Sequence, residues 1–384
     1  MTRLRFLTAG ESHGPCLTAI VEGFPAGLVV DEDVINHDLR RRQGGYGRGG
    51  RQQIEHDRVQ ILGGVLSGRT IGAPVALQIE NRDWANWREH WEEGDLPKLT
   101  VPRPGHADYA GMVKYGLTDA RLVLERASAR GTGALVAAGG LARLFLAEFG
   151  VLVGSYVTEI GGVVAQIPDL PAAELWALAE ASDVRCPDED TAARIRTAID
   201  DAREAGESLG GCFVITATGV PIGLGSHAQW DRRLNARLAA AVMGIQAIKG
   251  IEVGPAFENA RRLGTQVHDE FLPAGERPEG ATFYPVTRAT NRAGGIEGGM
   301  SNGQPIVLRA AMKPIPTTVT PLRSVDLVTG ERSATHYQRS DVCAVPAASI
   351  VGEAMVAWVL AEALLEKYGG DSMAEIKARM DATP

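Results

Sequence analysis

The sequence predicts an α+β fold, and three observations carry that prediction. Short apolar runs with β character are mixed with clear helices, yet they never settle into the strand–helix alternation of a doubly wound parallel sheet. The layout of the first half partly recurs in the second without any repeat of sequence. Residues 1–384 therefore read as a single compact domain of two loosely similar β/α halves related by a pseudo-twofold. Hydrophobic residues make up 45% of the chain and charged residues 22%, ordinary values for a globular protein with a sizeable core.

"LRFLTA" and "CLTAIVEG" read as a first pair of strands with a glycine-bracketed turn between them. Asp31 is placed to N-cap a helix in which Val34, Ile35 and Leu39 share one face. "RVQILGGVL" and "APVALQIEN" are strand-like. A long helix runs through "GALVAAGGLARLFLAEFG", with Leu141, Leu144, Phe145 and Phe149 at helical spacing and Gly150 as its stop. "VLVGSYVTEIGG" returns as a strand, and "LPAAELWALAEAS" and "DEDTAARIRTAIDDAREAG" are helices with polar faces. "GGCFVITATGVP" is a strand, "DRRLNARLAAAVMGIQAI" a helix, "QPIVLRAAMK" a strand and "VPAASIVGEAMVAWVLAEALLEKYGG" a buried helix.

Composition excludes several classes. A formal net charge of -8 argues against a nucleic-acid partner, which calls for a basic surplus. Cys16, Cys186, Cys212 and Cys343 are scattered and share no C-x-x-C spacing, so neither disulfides nor a metal site is expected. "MTRLRFLTAG" lacks the apolar stretch of a signal peptide, and no run approaches the roughly 20 apolar residues of a bilayer span. The expectation is a cytoplasmic protein with no membrane contact.

Four stretches, 40–51, 102–111, 291–303 and 313–341, fit neither helix nor strand and hold many of the polar residues suited to chemistry. The turn itself, G-E-S-H-G at 10–14, matches the nucleophile elbow G-x-S-x-G, which would make Ser12 the nucleophile of a serine hydrolase. An elbow normally follows an already built sheet and is accompanied by an oxyanion segment such as H-G-G-G; this one starts at residue 10 and no such segment is present. His13 offers other chemistry, because flanking glycines admit a ligand and an imidazole can donate a proton near neutral pH. His106, in "PRPGHADYAG" beside Asp108 and Tyr109, lies in a second glycine-framed loop, whereas His56, His90 and His268 sit in charged runs.

"LRRRQGGYGRGGRQ" places Arg40, Arg41, Arg42, Arg48 and Arg51 around a glycine-rich turn, and further arginines stand at 103, 126, 130 and 339. One reading is an RNA-binding Arg/Gly segment, which the acidic total charge and the lack of an aromatic platform weaken. The other is a site for a multiply anionic small ligand, since arginine forks and glycine N–H groups both grip anions. "GGYGRGG" lacks the Lys-Ser/Thr ending of a P-loop.

Seven stretches, in one order along the chain, carry a closer resemblance. "GESHGPCLTAIVEGFP", "ERASARGTGALVAAG" and "RSDVCAVPAASIVGEA" resemble three signatures of the chorismate synthase family, and "RRQGGYGRGGR", "RPGHADYAG", "GGIEGGMSNG" and "KPIPT" resemble further family segments. The resemblance implies a lyase of the shikimate pathway, which leads to the aromatic amino acids. In its anti 1,4-elimination, 5-enolpyruvylshikimate 3-phosphate loses phosphate and a ring proton to give chorismate, with reduced FMN required but no net redox change. A substrate with a phosphate and two carboxylates, set beside a flavin phosphate, needs converging cations, which agrees with arginine-rich loops in an acidic chain.

The roles implied by the resemblance fall on particular residues. His13 resembles the general acid on the departing phosphate, His106 the histidine near flavin N1, and Asp341 the acid near flavin N5. Arg42, Arg48, Arg103 and Arg130 become clamps for the substrate, or for NADP, since some members reduce their flavin with NADPH. Flavin contacts fall on Arg126, Ala127, Ser128, Gln246, Ala247, Gly298, Lys313, Pro314, Ile315, Pro316, Thr317 and Arg339. Gln246 stands where many members have Asn, so an amide is kept. The family is typically tetrameric, which implies a homotetramer.

Overall fold

Period-two burial turns the apolar runs into two sheets. The structure, a computed structural model, describes residues 4–50, 54–277, 283–336 and 340–382. In the first half β1 (Arg5–Ala9) and β2 (Cys16–Glu22) form a hairpin, α1 (Glu32–Gln43) follows, and β3 (Val59–Gly63) and β4 (Val75–Glu80) complete an antiparallel sheet ordered β1–β2–β4–β3. Every second side chain of β2 and β4 is buried: Leu17, Ala19 and Val21, then Val75, Leu77 and Ile79. Asp31 caps α1 by accepting from the Asp33 N–H.

Helices α2 (Asp108–Tyr115), α3 (Arg121–Ala127) and α4 (Thr132–Ala147) lead into the second half. There β5 (Leu152–Ile160), the short β6 (Val163–Val164), α5 (Ala172–Ala181) and α6 (Glu189–Glu204) precede β7 (Gly211–Thr218), α7 (Leu234–Met243), β8 (Ile248–Val253), β9 (Ile306–Met312) and α8 (Val345–Tyr368). The second sheet is also antiparallel, in the order β8–β9–β7–β5–β6. With β6 set aside, both sheets take the order first–second–fourth–third, with a helix after the second strand and another after the fourth. The likeness of the two halves is one of topology.

Helices α1 and α4 pack on the first sheet, α7 and α8 pack on the second, and α4 crosses α8 in the middle. The result is four layers, sheet–helices–helices–sheet, around an apolar core that includes Leu141, Phe145, Phe213, Ile215 and Leu360. Gly139 sets the crossing, because a Cβ there would lie 2.4 Å from the Ala354 Cβ and 2.7 Å from its Cα. Helix α8 is apolar on all sides because it is enclosed on all sides. Its 24 residues are long and apolar enough to cross a membrane by length and composition, contrary to the expectation that no run approaches such a span, but 89% of its apolar window is buried within the protein.

The buried charge on α8 is Glu353, which takes ion pairs from Arg41, Arg143 and Arg185 and a hydrogen bond from Ser155. Arg41 is thereby committed to the core. Burial opposes the charge of Glu353, yet the three arginines overcome it and pull its carboxyl down to about 2.

Several expectations change. Val34 points outward from α1 while Ile35 and Leu39 are buried. Strand β8 lies where the sequence "IKGIEV" reads poorly as a strand, and it is interrupted by a register shift beside Gly250. The stretches expected to be irregular contain the end of α1, the start of α2, and two short hairpins, Ile296–Glu297 with Met300–Ser301 and Arg323–Val325 with Arg332–Ala334.

Candidate active site

The turn carrying His13 is held from four directions. Gly10 adopts a φ of +108°, and a Cβ there would meet the Cys16 carbonyl oxygen at 2.3 Å, so only glycine fits. Asn81, just past β4, donates to the carbonyls of Glu11 and Gly14 at 3.1 and 2.7 Å. Glu125 of α3, 5% exposed, accepts from the His13 N–H at 2.8 Å with one carboxylate oxygen and meets His13 Nδ1 at 2.8 Å with the other. The Trp87 ring packs against the imidazole at 4.2 Å between centroids. Glu125 thus fixes the orientation of the imidazole through Nδ1.

Ser12, 2% exposed, donates to Ser128 Oγ at 3.0 Å. The adjacent imidazole is engaged through Nδ1 by Glu125, and this hydroxyl is turned to Ser128, an arrangement unlike a Ser–His–acid relay.

The arginines arrive with carboxylates behind them. Asp57, whose side chain is fully buried, receives Arg130 Nη1 at 2.8 and 2.7 Å and Arg42 Nη1 at 3.2 Å. Arg130 Nε donates to Asn81 Oδ1 at 2.7 Å, which ties this pair to the His13 turn. Burial pushes the Arg42 guanidinium down to about 10; Asp57 opposes this, and the charges of Arg130 and Arg48 add to it. An RNA-binding surface would expose such residues, whereas these two are enclosed.

Arg103 donates from Nε and Nη2 to both oxygens of Asp108, at 2.8 and 3.0 Å, and His106 Nδ1 meets the same carboxylate. Burial alone would raise the Asp108 carboxyl, but the hydrogen bonds of His106 and Arg103 hold it well below the usual carboxylate range. Arg48 Nη1 and the Gly49 N–H each donate to Asp341, both at 2.6 Å. Asp341 therefore anchors the arginine loop and does not cap α8, whose N-cap, Ala344, makes no side-chain hydrogen bond.

These groups line one cleft of about 710 Å³, well inside the size range of small-molecule sites. The N-termini of α4 and α8 both open into it, through Thr132 and Ala347, and helix N-termini favour anions. Met312, Ile315, Pro316, Ile245, Ala348 and Val351 give it an apolar wall. Buried Gln246 Oε1 and Arg48 Nε have no hydrogen-bond partner among the described residues. Next to Gln246, Ala247 takes a φ of +66°, rare for a non-glycine residue, while its carbonyl accepts from the Lys313 N–H at 2.9 Å. Among the described residues no group of three His, Cys, Asp or Glu is placed to hold a metal ion.

His13, His106, Asp341, Arg42, Arg48, Arg103 and Arg130 all reach this cleft, as do Ala127, Ser128, Gln246, Ala247, Lys313, Ile315, Pro316 and Thr317. Three expected residues do not. Arg126 is turned outward and donates to the carbonyls of Thr8 and Gly10, closing the end of β1. Gly298 lines a separate cleft with Arg233 and Arg292; its φ of +60°, with +90° at Gly299, makes the turn of a short hairpin. Pro314 lies between lining residues without lining the cleft itself, and Arg339 falls outside the described residues. Glu125, Asp57, Trp87 and Arg121 belong to the site without having been picked out from the sequence.

The sequence profile described as chorismate synthase matches residues 4–365. The chain belongs to the chorismate synthase family. It is 54% identical over 383 residues to the chorismate synthase of Geobacter metallireducens, covering 98% of both chains. It is 56% identical over 378 residues to that of Desulforudis audaxviator, covering 97% of this chain and 95% of the relative. A crystal structure titled chorismate synthase superposes with a TM-score of 0.79 at 45% identity, covering 99% of this chain and 96% of the other. Membership makes the chain an enzyme, a lyase of aromatic biosynthesis.

Proposed function

We propose that this cleft carries out the family reaction, the anti 1,4-elimination of phosphate from 5-enolpyruvylshikimate 3-phosphate to give chorismate. The observation that supports it most is the convergence of two carboxylate-oriented histidines and several fixed arginines on one partly apolar cleft. His13, with Nδ1 engaged by Glu125, donates its proton from Nε2 to the phosphate as negative charge develops on it. Arg42, Arg48, Arg103 and Arg130 neutralise the substrate's phosphate and carboxylates; each is already oriented by a carboxylate, so little rearrangement is needed. Asp341 carries a carboxylate at the cleft wall, where it accepts a proton.

The residues present fit a flavin. A buried amide oxygen without a partner at Gln246, the strained Ala247, Lys313 and the apolar wall of Ile315 and Pro316 together suit a planar ring with a polar edge. Ala127, Ser128 and Thr317 complete the set that would hold it, and His106 stands beside them, oriented by Asp108. Reduced FMN, when bound, supplies electron density that eases the departure of phosphate and leaves the reaction redox neutral. The enzyme works in the cytoplasm as a homotetramer, with no nucleic-acid or membrane partner. Leu7 and Ile20, paired across β1 and β2 and both exposed, give the uncovered face of the first sheet an apolar surface suited to subunit contact.

Anaerobic turnover with a trace of reduced FMN tests the reading. Many equivalents of chorismate and phosphate per flavin are expected, with the flavin still reduced at the end. Oxidised flavin formed in proportion to chorismate would refute it. Adding NADPH with oxidised FMN in place of the reduced form shows whether the protein reduces its own flavin.

A further inference from the structure

Among the described residues five arginines line the cleft, and four have a carboxylate partner. Arg42 and Arg130 share Asp57, Arg48 has Asp341, and Arg103 has Asp108. Arg121, the first residue of α3, has none among the described residues. Its guanidinium lies 5.7 Å from the Trp87 ring centroid, and its Nη2 donates to the Pro97 carbonyl at 3.3 Å. Its Nε is buried and has no hydrogen-bond partner among the described residues.

One feature of this position is unfavourable in the free protein: a buried N–H donor left unsatisfied loses its hydration without replacement. An anion entering the cleft at the guanidinium relieves it. Trp87 lies within cation–π range of the guanidinium and meets the His13 ring at a tilt of 42°, so an anion at Arg121 arrives beside the proposed acid. Most of the residues that suit the flavin (Gln246, Ala247, Lys313, Ile315, Pro316 and Thr317) come from the second half; Ala127 and Ser128 come from the first, as do Arg121, Trp87 and His13, so flavin affinity is measured beside substrate affinity.

We propose that Arg121 is a further substrate-binding residue, whose guanidinium takes an ionised carboxylate or phosphate of the substrate that His13 protonates. The proposal rests on the reading of the cleft as the elimination site. Arg121→Gln and Arg121→Lys test it, with three readouts: substrate affinity by calorimetry, KM against kcat in the anaerobic assay, and FMN affinity by flavin fluorescence. For the Gln variant, substrate affinity is expected to weaken and KM to rise by about 10- to 100-fold, the loss typical of a charge-assisted hydrogen bond. FMN affinity should stay within about twofold, and Lys should recover part of the loss by keeping the charge. Weakened FMN binding with unchanged substrate affinity would overturn the proposal and assign the anion to the flavin phosphate. Unchanged affinity for both would also overturn it. Wild-type protein that binds the substrate without turning it over would defeat the functional reading, while the calorimetric comparison would still decide the role of Arg121.

Discussion

Glu125 reaches His13 across 112 residues of chain and satisfies both its N–H and its Nδ1. His13→Ala should lower kcat by at least about 100-fold, the low end of lost acid catalysis, with FMN affinity unchanged. Glu125→Gln removes the charge but keeps an acceptor, so an intermediate loss is expected, and Ser12→Ala should be the mildest of the three; single-turnover rates rank them. A Ser12 variant worse than His13→Ala would contradict the site as assembled. Asp341→Asn should slow elimination by about 100-fold while flavin still binds. Near-normal single-turnover rates in that variant would reduce Asp341 to an anchor for Arg48 and Gly49. The two histidines were legible because glycine frames them within a few residues. Glu125 and Asp57 were not, because their meaning lies in partners brought close only by folding. The direction of Arg126 was hidden for the matching reason: its neighbours in sequence face the cleft while its own side chain faces β1.

The strands and long helices were legible wherever burial repeats with a period of two, or wherever an apolar stretch runs uninterrupted, as in β2, β7 and α8. Strand β8 was missed because Lys249, Gly250 and Glu252 break its pattern, and its pairing with β9 supplies what local preference does not. Helix α2 was hidden by its glycine and by the proline-rich run before it. The contact between α4 and α8 yields the sharpest test here. Gly139→Ala forces the helices apart against backbone as well as side-chain atoms of Ala354, and a loss of about 1–3 kcal/mol is expected in urea denaturation. Because both helices begin at the cleft, kcat should fall as well. A variant with wild-type stability would mean that the crossing has slack.

The four-layer body is pinned near its centre by Glu353, and this makes its stability depend on acid. The carboxyl sits at about 2 in the folded protein against an ordinary value of 4.5. Between those values the unfolded chain holds the proton and the folded chain does not, so stability rises with pH across that window. This contribution is complete above about pH 4.5 and is lost as the pH falls through about 2. Glu353→Gln removes the buried charge that Arg41, Arg143 and Arg185 share, leaving them Asp38 and Glu180, and should cost up to about 3–5 kcal/mol at neutral pH. The gap between wild type and variant should narrow below pH 4 in guanidinium titrations, and a gap constant with pH would show that the charge is not what matters. The placement of the cleft has a further consequence for the molecule as a whole. Helix α4 brings one wall from the first sheet's half and α8 another from the second, so neither half can keep a ligand by itself. Occupancy therefore works as a staple: unfolding of either half must first release what both hold, and the halves melt together more tightly the more ligand surrounds them.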